Sequence, residues 1–320
     1  MAAFLARRLL LAAAVLCAFS FVSFVFFATS FYPLKGKPAL PEYWRWLSGI
    51  PDGSLTDGLT GPIWPKLLPA LGHTFALLAV TFAIVVVASV GLACLAVSVR
   101  GSALDALVRV GLYLTWGIPV FLLALIVQQV VSALGSARGL GPFPLAGWPG
   151  SCPTGIGLNA GTLNPCPVAA GGAGYALDVL RYVTLPALAL AVGFVGLHGR
   201  YLRAALAGAL SAPYVTTARA KGLPERTVLF RHALRNSLAT FAAVLLADFG
   251  ALLGATLVID WVFQLNGLGM LYLRELNPNV PSIDPYAVEV LLLVTAGLLI
   301  LFSVLSELAV VALDPRVRTR

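Results

Sequence analysis

Charged side chains make up only 11% of the 320 residues, against about 25% in soluble domains. With a mean hydropathy of +0.93, that scarcity excludes an ordinary soluble domain and reads as a membrane protein. No GxxxxGK[ST] phosphate loop is present, so the chain has no recognisable means of binding ATP itself. Only three histidines occur, His73, His198 and His232, in unrelated segments without metal-ligand spacing. Nucleophile-and-base arrangements and internal repeats are also absent, which argues against an enzyme. Uphill movement of a solute would therefore draw on a partner chain or an ion gradient.

The apolar runs show no alternation of period two, which excludes a membrane barrel. They are instead long and continuous. About 20 residues are needed to cross a hydrocarbon core of about 30 Å, and six runs reach that length: approximately 9–31, 71–98, 104–134, 183–207, 237–259 and 287–312. The expected fold is all-α, one transmembrane domain over 1–320 with six spanning helices. Gly117 and Pro119 predict a kink in the third. Arg7 and Arg8 ahead of an apolar run resemble a secretory signal, with Ala28 near a cleavage point, but the run exceeds an ordinary signal core of about 7 to 15 residues and reads as a retained helix.

Charge asymmetry sets the expected orientation. Fourteen of the 21 Lys and Arg, including Arg7, Arg8, Arg100, Arg109 and the cations between 200 and 235, fall on one side of the six-span arrangement. By the positive-inside rule that side, with both termini, is cytoplasmic. The expected extracytoplasmic loops are 32–70, 135–182 and 260–286. PEYWRWL in the first has the aromatic content of a short helix lying on the membrane surface, and the apolar residues of the third predict that it folds back on the bundle. Of the four cysteines, Cys17 and Cys94 lie in spans. Cys152 and Cys166 lie in the Gly/Pro-rich second loop and are a candidate disulfide, worth about 3 kcal/mol for a loop of about 15 residues; two free thiols are the alternative.

The 208–236 loop concentrates the chemistry. In PYVTTARAKGLPERTVLFRHALRNS, Ser211 is the expected N-cap and Pro213 sits in the first turn, where a missing N–H is tolerated. Gly222 fits the left-handed position that closes a helix, and Pro224 opens a second one with Glu225 in its first turn. Ala218 and Ala220 form a small face that a partner can approach closely, flanked by Arg219 and Lys221. A solvated loop that only fixes topology is the alternative.

This passage resembles the EAA loop of ABC importer permeases, in the form found in the dipeptide and oligopeptide permease family, B-type subunit. FLARRLL, PEYWRWLSGIPDGSL, HTFALLAVTFAIVVVASVGLACLAV, GSALDALVRVGLYLTWGIPVFLLALIV, FGALLGATLVIDWVFQLNGLGML and ALDPRVR extend the likeness over essentially the whole chain. The resemblance implies the type I importer permease fold and a coupling helix that docks on an ATPase. Tyr214, Thr216, Thr217, Ala218, Arg219, Ala220, Lys221, Gly222 and Leu223 are the expected coupling residues. Thr216, Thr217 and Ala218 occupy the E-A-A places, so no Glu-mediated contact is expected. Departures are Asp260 where Glu is usual, Leu265-Asn266 where Trp-Pro precedes Gly-Leu-Gly, and Asp248 at a place usually uncharged.

The implied partners are a second homologous permease of the C type, two ABC ATPases that bind ATP and Mg, and an extracytoplasmic substrate-binding protein, in the bacterial inner membrane. No cofactor is expected in this chain. The implied cargo is di- or oligopeptides, with nickel chelates, glutathione or another small solute as alternatives; an ion-coupled secondary transporter is the competing class. Intramembrane carboxylates are costly and face partners or aqueous cavities. Asp248, half-way along the fifth run, is accordingly the candidate pathway residue, where it would meet a peptide amino terminus, a structural hydrogen bond or ion pair with another helix being its alternative. Glu289 and Glu307 lie nearer span ends and are expected to pair there. His198 is expected at an interface, and Gly250 and Gly254 to permit close helix packing.

Overall fold

In lipid, a backbone must satisfy its own polar groups, and the apolar runs do so as helices. The computed structural model describes residues 2–30, 38–50, 63–134, 139–140, 143–153, 163–164, 171–276 and 285–313. Its helices begin with α1 (Ala2–Ser30), α2 (Ala39–Gly49), α3 (Trp64–Ser98), α4 (Ala103–Gly117) and α5 (Val120–Leu134). Four two-residue strands follow, β1 (Gly139–Leu140), β2 (Phe143–Pro144), β3 (Cys152–Pro153) and β4 (Leu163–Asn164), paired antiparallel as β1–β2 and β3–β4. Then come α6 (Gly172–Leu210), α7 (Pro213–Ala220), α8 (Glu225–Thr227), a π-helical segment (Val228–Leu234), α9 (Arg235–Ala247), α10 (Phe249–Phe263), α11 (Leu268–Glu275) and α12 (Pro285–Leu313). The candidate Cys152–Cys166 pairing falls outside the described residues.

Four helices, α1, α3, α6 and α12, are long and apolar enough to cross a membrane. Two bent pairs raise the number to six if each is one span: α4 with α5, bent by 103°, and Glu225–Ala247 with α10, bent by 51°. The first bend is where Gly117 and Pro119 predict a kink. Ile118, ahead of the proline, is held extended at φ −87° and ψ 125°, the conformation forced on a residue before Pro, and the result is a sharp turn rather than a kink. The second bend, at Asp248, is not foreseen by a continuous fifth run.

The 39 residues of α6 extend about 58 Å at 1.5 Å per residue, longer than a hydrocarbon core of about 30 Å. It is the hub of the fold, packing on α3, α4, α5, α9 and α10. Leu190, Leu202 and Leu206 on α6 are fully buried, as are Leu77 on α3 and Leu253 and Ile259 on α10. Gly196 lets α6 close on α4: a Cβ there would lie 2.7 Å from the Leu112 carbonyl oxygen and 2.9 Å from the Trp116 nitrogen. The Gly250/Gly254 pair does not make such an approach. Gly254 meets nothing within 4 Å and Gly250 only the Leu299 side chain.

Helices α1 and α12 are joined through both carboxylates of α12. Arg8 pairs with Glu307 at 2.9 Å, and Ser23 donates to the buried Glu289, in line with the pairing expected of these two acids. Helix α2 forms over the aromatic stretch and turns Tyr43 and Trp46 inward against Phe24, leaving Trp44 exposed. Helix α11 folds back on α3, α10 and α12, as the apolar content of its loop implies.

Candidate functional site

The charged loop leaves the bundle as a short helix on a sharp turn. Helix α6 ends at Leu210, and Ser211 donates its hydroxyl back to the Ala207 carbonyl at 3.1 Å. The serine therefore serves the end of α6, and the N-cap of α7 is Ala212, extended and without a side-chain cap, followed by Pro213. This corrects the expected cap: proline's fixed φ starts α7 unaided.

Helix α7 is held by a narrow seam. Val215 is fully buried and Ala218 nearly so, against Val228 of the π segment and Leu210. Ala218 thus faces its own chain, not a partner, which corrects the small outward face read from the sequence. Outward lie Tyr214, Thr216, Thr217, Arg219, Ala220, Lys221, Gly222 and Leu223. These eight make a contiguous exposed surface.

The end of α7 is a Schellman turn. Leu223 donates its N–H to the Ala218 carbonyl at 3.4 Å and Gly222 to the Arg219 carbonyl at 2.9 Å. Gly222 sits at φ +76°, a left-handed conformation cheap only for glycine. Arg219 donates two hydrogen bonds to Glu225 across the turn, at 2.7 and 3.2 Å. That bond lowers the Glu225 carboxyl from its ordinary pKa and raises the Arg219 guanidinium. Both groups are exposed, so the pair shapes the turn more than it stabilises it.

Beneath the turn, α6 is fastened to α4. Arg203 donates to both oxygens of the buried Asp105, the closest contact 2.8 Å, while Arg109 lies 3.6 Å from it. Ser102 caps α4 by accepting the Asp105 N–H at 3.2 Å. The π-helical segment after Pro224 has no signal in the sequence, which suggests only an α-helix there; such segments recur at functional sites.

Two further polar assemblies lie inside the bundle. Asp248, at the break between α9 and α10, approaches the buried His198 of α6, Oδ2 to Nε2 at 3.3 Å. His198 is completely buried, which corrects its expected place at an interface. Asp260 is buried at the end of α10. It accepts the N–H of Gly267 at 2.9 Å and of Met270 at 2.7 Å, while Thr74 accepts that of Leu268 at 3.0 Å. The Gly-Leu-Gly stretch is therefore a polar-capped turn, with Gln264 and Asn266 left-handed ahead of it. Among the described residues no group of His, Cys, Asp or Glu could hold a metal ion.

Comparison with known proteins adds an independent line. The pattern of the family described as "binding-protein-dependent transport system inner membrane component" matches residues 86–319, which include α7 and its turn. An oligopeptide transport system permease of Mycobacterium tuberculosis is 26% identical over 343 aligned residues, covering 99% of each chain. One of Bacillus subtilis is 24% identical over 283 residues, 88% of this chain and 81% of that one. A glutathione transport system permease of Pectobacterium atrosepticum is 25% identical over 287 residues, 88% of this chain and 80% of that one.

Proposed function

The chain belongs to the family of binding-protein-dependent transport system inner membrane components, and on that premise we propose that it is the permease subunit of an ATP-driven importer of di- or oligopeptides. It forms half of the translocation pathway. In this reading α4–α5 and α9–α10 each count as one of six spans, both termini and the 208–236 loop lie on one side, and the excess of Lys and Arg there supports the cytoplasm of a bacterial inner membrane. The partners are a second permease, two ATPases that bind and hydrolyse ATP, and an extracytoplasmic binding protein.

The observation that carries this reading is the exposed α7 closed by Gly222. A helix of eight residues has little stability by itself, so α7 keeps its shape through the Val215–Ala218 seam and the Schellman turn. Its polar face remains free for a groove on the ATPase. Closure of the ATPase pair on ATP would push α7. The push reaches α6 directly and α4 through Arg203–Asp105, since these contacts bind the three helices together. Work is available because the ATPases bind ATP with different affinity in the two states.

A cysteine placed on the outward face tests this arrangement. Thr217→Cys, in a chain lacking its other cysteines, is expected to cross-link to an ATPase subunit in membranes of the assembled transporter, with a yield that changes on ATP addition. Val215→Cys, buried in the seam, is expected to stay unlinked. No link at residue 217 with every subunit present would refute the docking role.

Peptide cargo is supported by the oligopeptide permeases among the relatives. The glutathione permease fits the same reading, glutathione being itself a small peptide.

A further inference from the structure

We propose that Asp248, aimed by His198, is a charge-selecting carboxylate of the translocation route and receives cationic groups of the transported solute. This deepens the transport reading above and rests on it.

Asp248 stands in the fifth apolar run, where α9 stops and α10 begins at an angle of 51°. A carboxylate at that depth is stable only against a partner or an aqueous space. Its single close partner among the described side chains is His198, and its own side chain is 36% exposed, whereas that of His198 is 1% exposed. One face of the acid is thus anchored and the other is open. The neighbouring residues Ala247, Ala251 and Gly254 are small and exposed.

The anchoring is specific. His198 Nδ1 lies 2.8 Å from the Phe194 carbonyl oxygen; a carbonyl only accepts, so Nδ1 carries a hydrogen. Phe194 lies parallel to the imidazole and Phe241 meets it edge-on, with ring centroids 6.1 and 6.3 Å away. Nε2 then faces Asp248 Oδ2 at 3.3 Å, off the axis of a hydrogen bond, and has no hydrogen-bond partner among the described residues. The Oδ2 side of the carboxylate is therefore covered by the buried imidazole. Oδ1 makes no hydrogen bond among the described residues and is the oxygen offered to a solute.

An ammonium or guanidinium suits that oxygen. It supplies the donors Oδ1 lacks and the opposite charge, and a charged hydrogen bond is the stronger kind. A carboxylate of the cargo would instead meet like charge. His198 acts only through Asp248 and is a positioning residue.

The test is uptake of Lys-Ala-Lys, Ala-Ala-Ala and Glu-Ala-Glu by vesicles holding the complete transporter. Asp248→Asn is expected to lower Lys-Ala-Lys uptake about tenfold relative to Ala-Ala-Ala, the loss of one charge-assisted hydrogen bond, and to leave Glu-Ala-Glu unchanged or faster. His198→Leu is expected to lose the same selectivity. His198→Gln, which keeps a polar group beside Oδ2, is expected to keep it, a rescue that a purely structural role would not show. Equal changes for all three peptides, or none, would overturn the assignment and leave Asp248 a structural partner of His198 or of another subunit. Failure of the wild type to take up any of the three would overturn the peptide reading, and this assignment with it.

Discussion

Uptake is expected to fall at least tenfold when Gly222 is replaced by Val, while the protein still inserts and accumulates normally. The site is open, with nothing within 4 Å of a Cβ at Gly222, so steric collision is not the cause. The cause is the backbone: φ is +76°, and an L-residue held left-handed costs roughly 1–2 kcal/mol, more for a β-branched side chain. Relaxing that strain unwinds the Schellman turn, frees Leu223 from Ala218 and changes the angle of α7. The bundle is held elsewhere, so insertion survives. Gly222→Asn is the control, because Asn tolerates the left-handed region, and it is expected to retain most of the uptake. Equal loss in both variants would show that the side chain and not the turn matters.

The largest effect on stability is expected from Asp260→Ala. The carboxylate is buried and accepts two backbone N–H groups that start α11. Alanine leaves both unpaired away from water, at about 1–3 kcal/mol each, for a loss of about 4 kcal/mol. The solubilised protein should unfold at a clearly lower temperature, and the segment from 264 to 276 should become cleavable by protease first. Gly269 adds to this sensitivity, since a Cβ there would run into the backbone of Leu257; α11 must lie directly on α10. An unchanged unfolding temperature would show that water or another donor-acceptor set replaces the carboxylate.

Features that depend on local chemistry were legible in the sequence. The lengths of the apolar runs anticipate α1, α3 and α12, and Gly222-Leu223-Pro224 announces the end of α7 because each residue is restricted by its own backbone. The turn between α4 and α5 follows from Gly117 and Pro119 for the same reason. Facing directions were not legible. Ala218 and Ala220 are both small, and only the position of Val228 decides that Ala218 turns inward. Gly250 and Gly254 have the spacing for close packing, yet the close approach is made by Gly196, whose partner on α4 lies some 80 positions earlier. The pairing of His198 with Asp248 joins two helices, and nothing near either residue signals the other. Asp260 appeared as a departure from a family pattern, and its role emerged only with the path of the turn that follows it.

The central claim is that transport through this chain is driven by ATPases pressing on α7. Its most direct measurement is solute uptake into vesicles reconstituted with this chain alone or with all its proposed partners, with ATP or with an ion gradient as the energy source. Uptake of a short peptide only by the complete assembly, only with ATP inside the compartment that faces α7, is the predicted result. Gradient-driven uptake by this chain alone, without ATP, would contradict it.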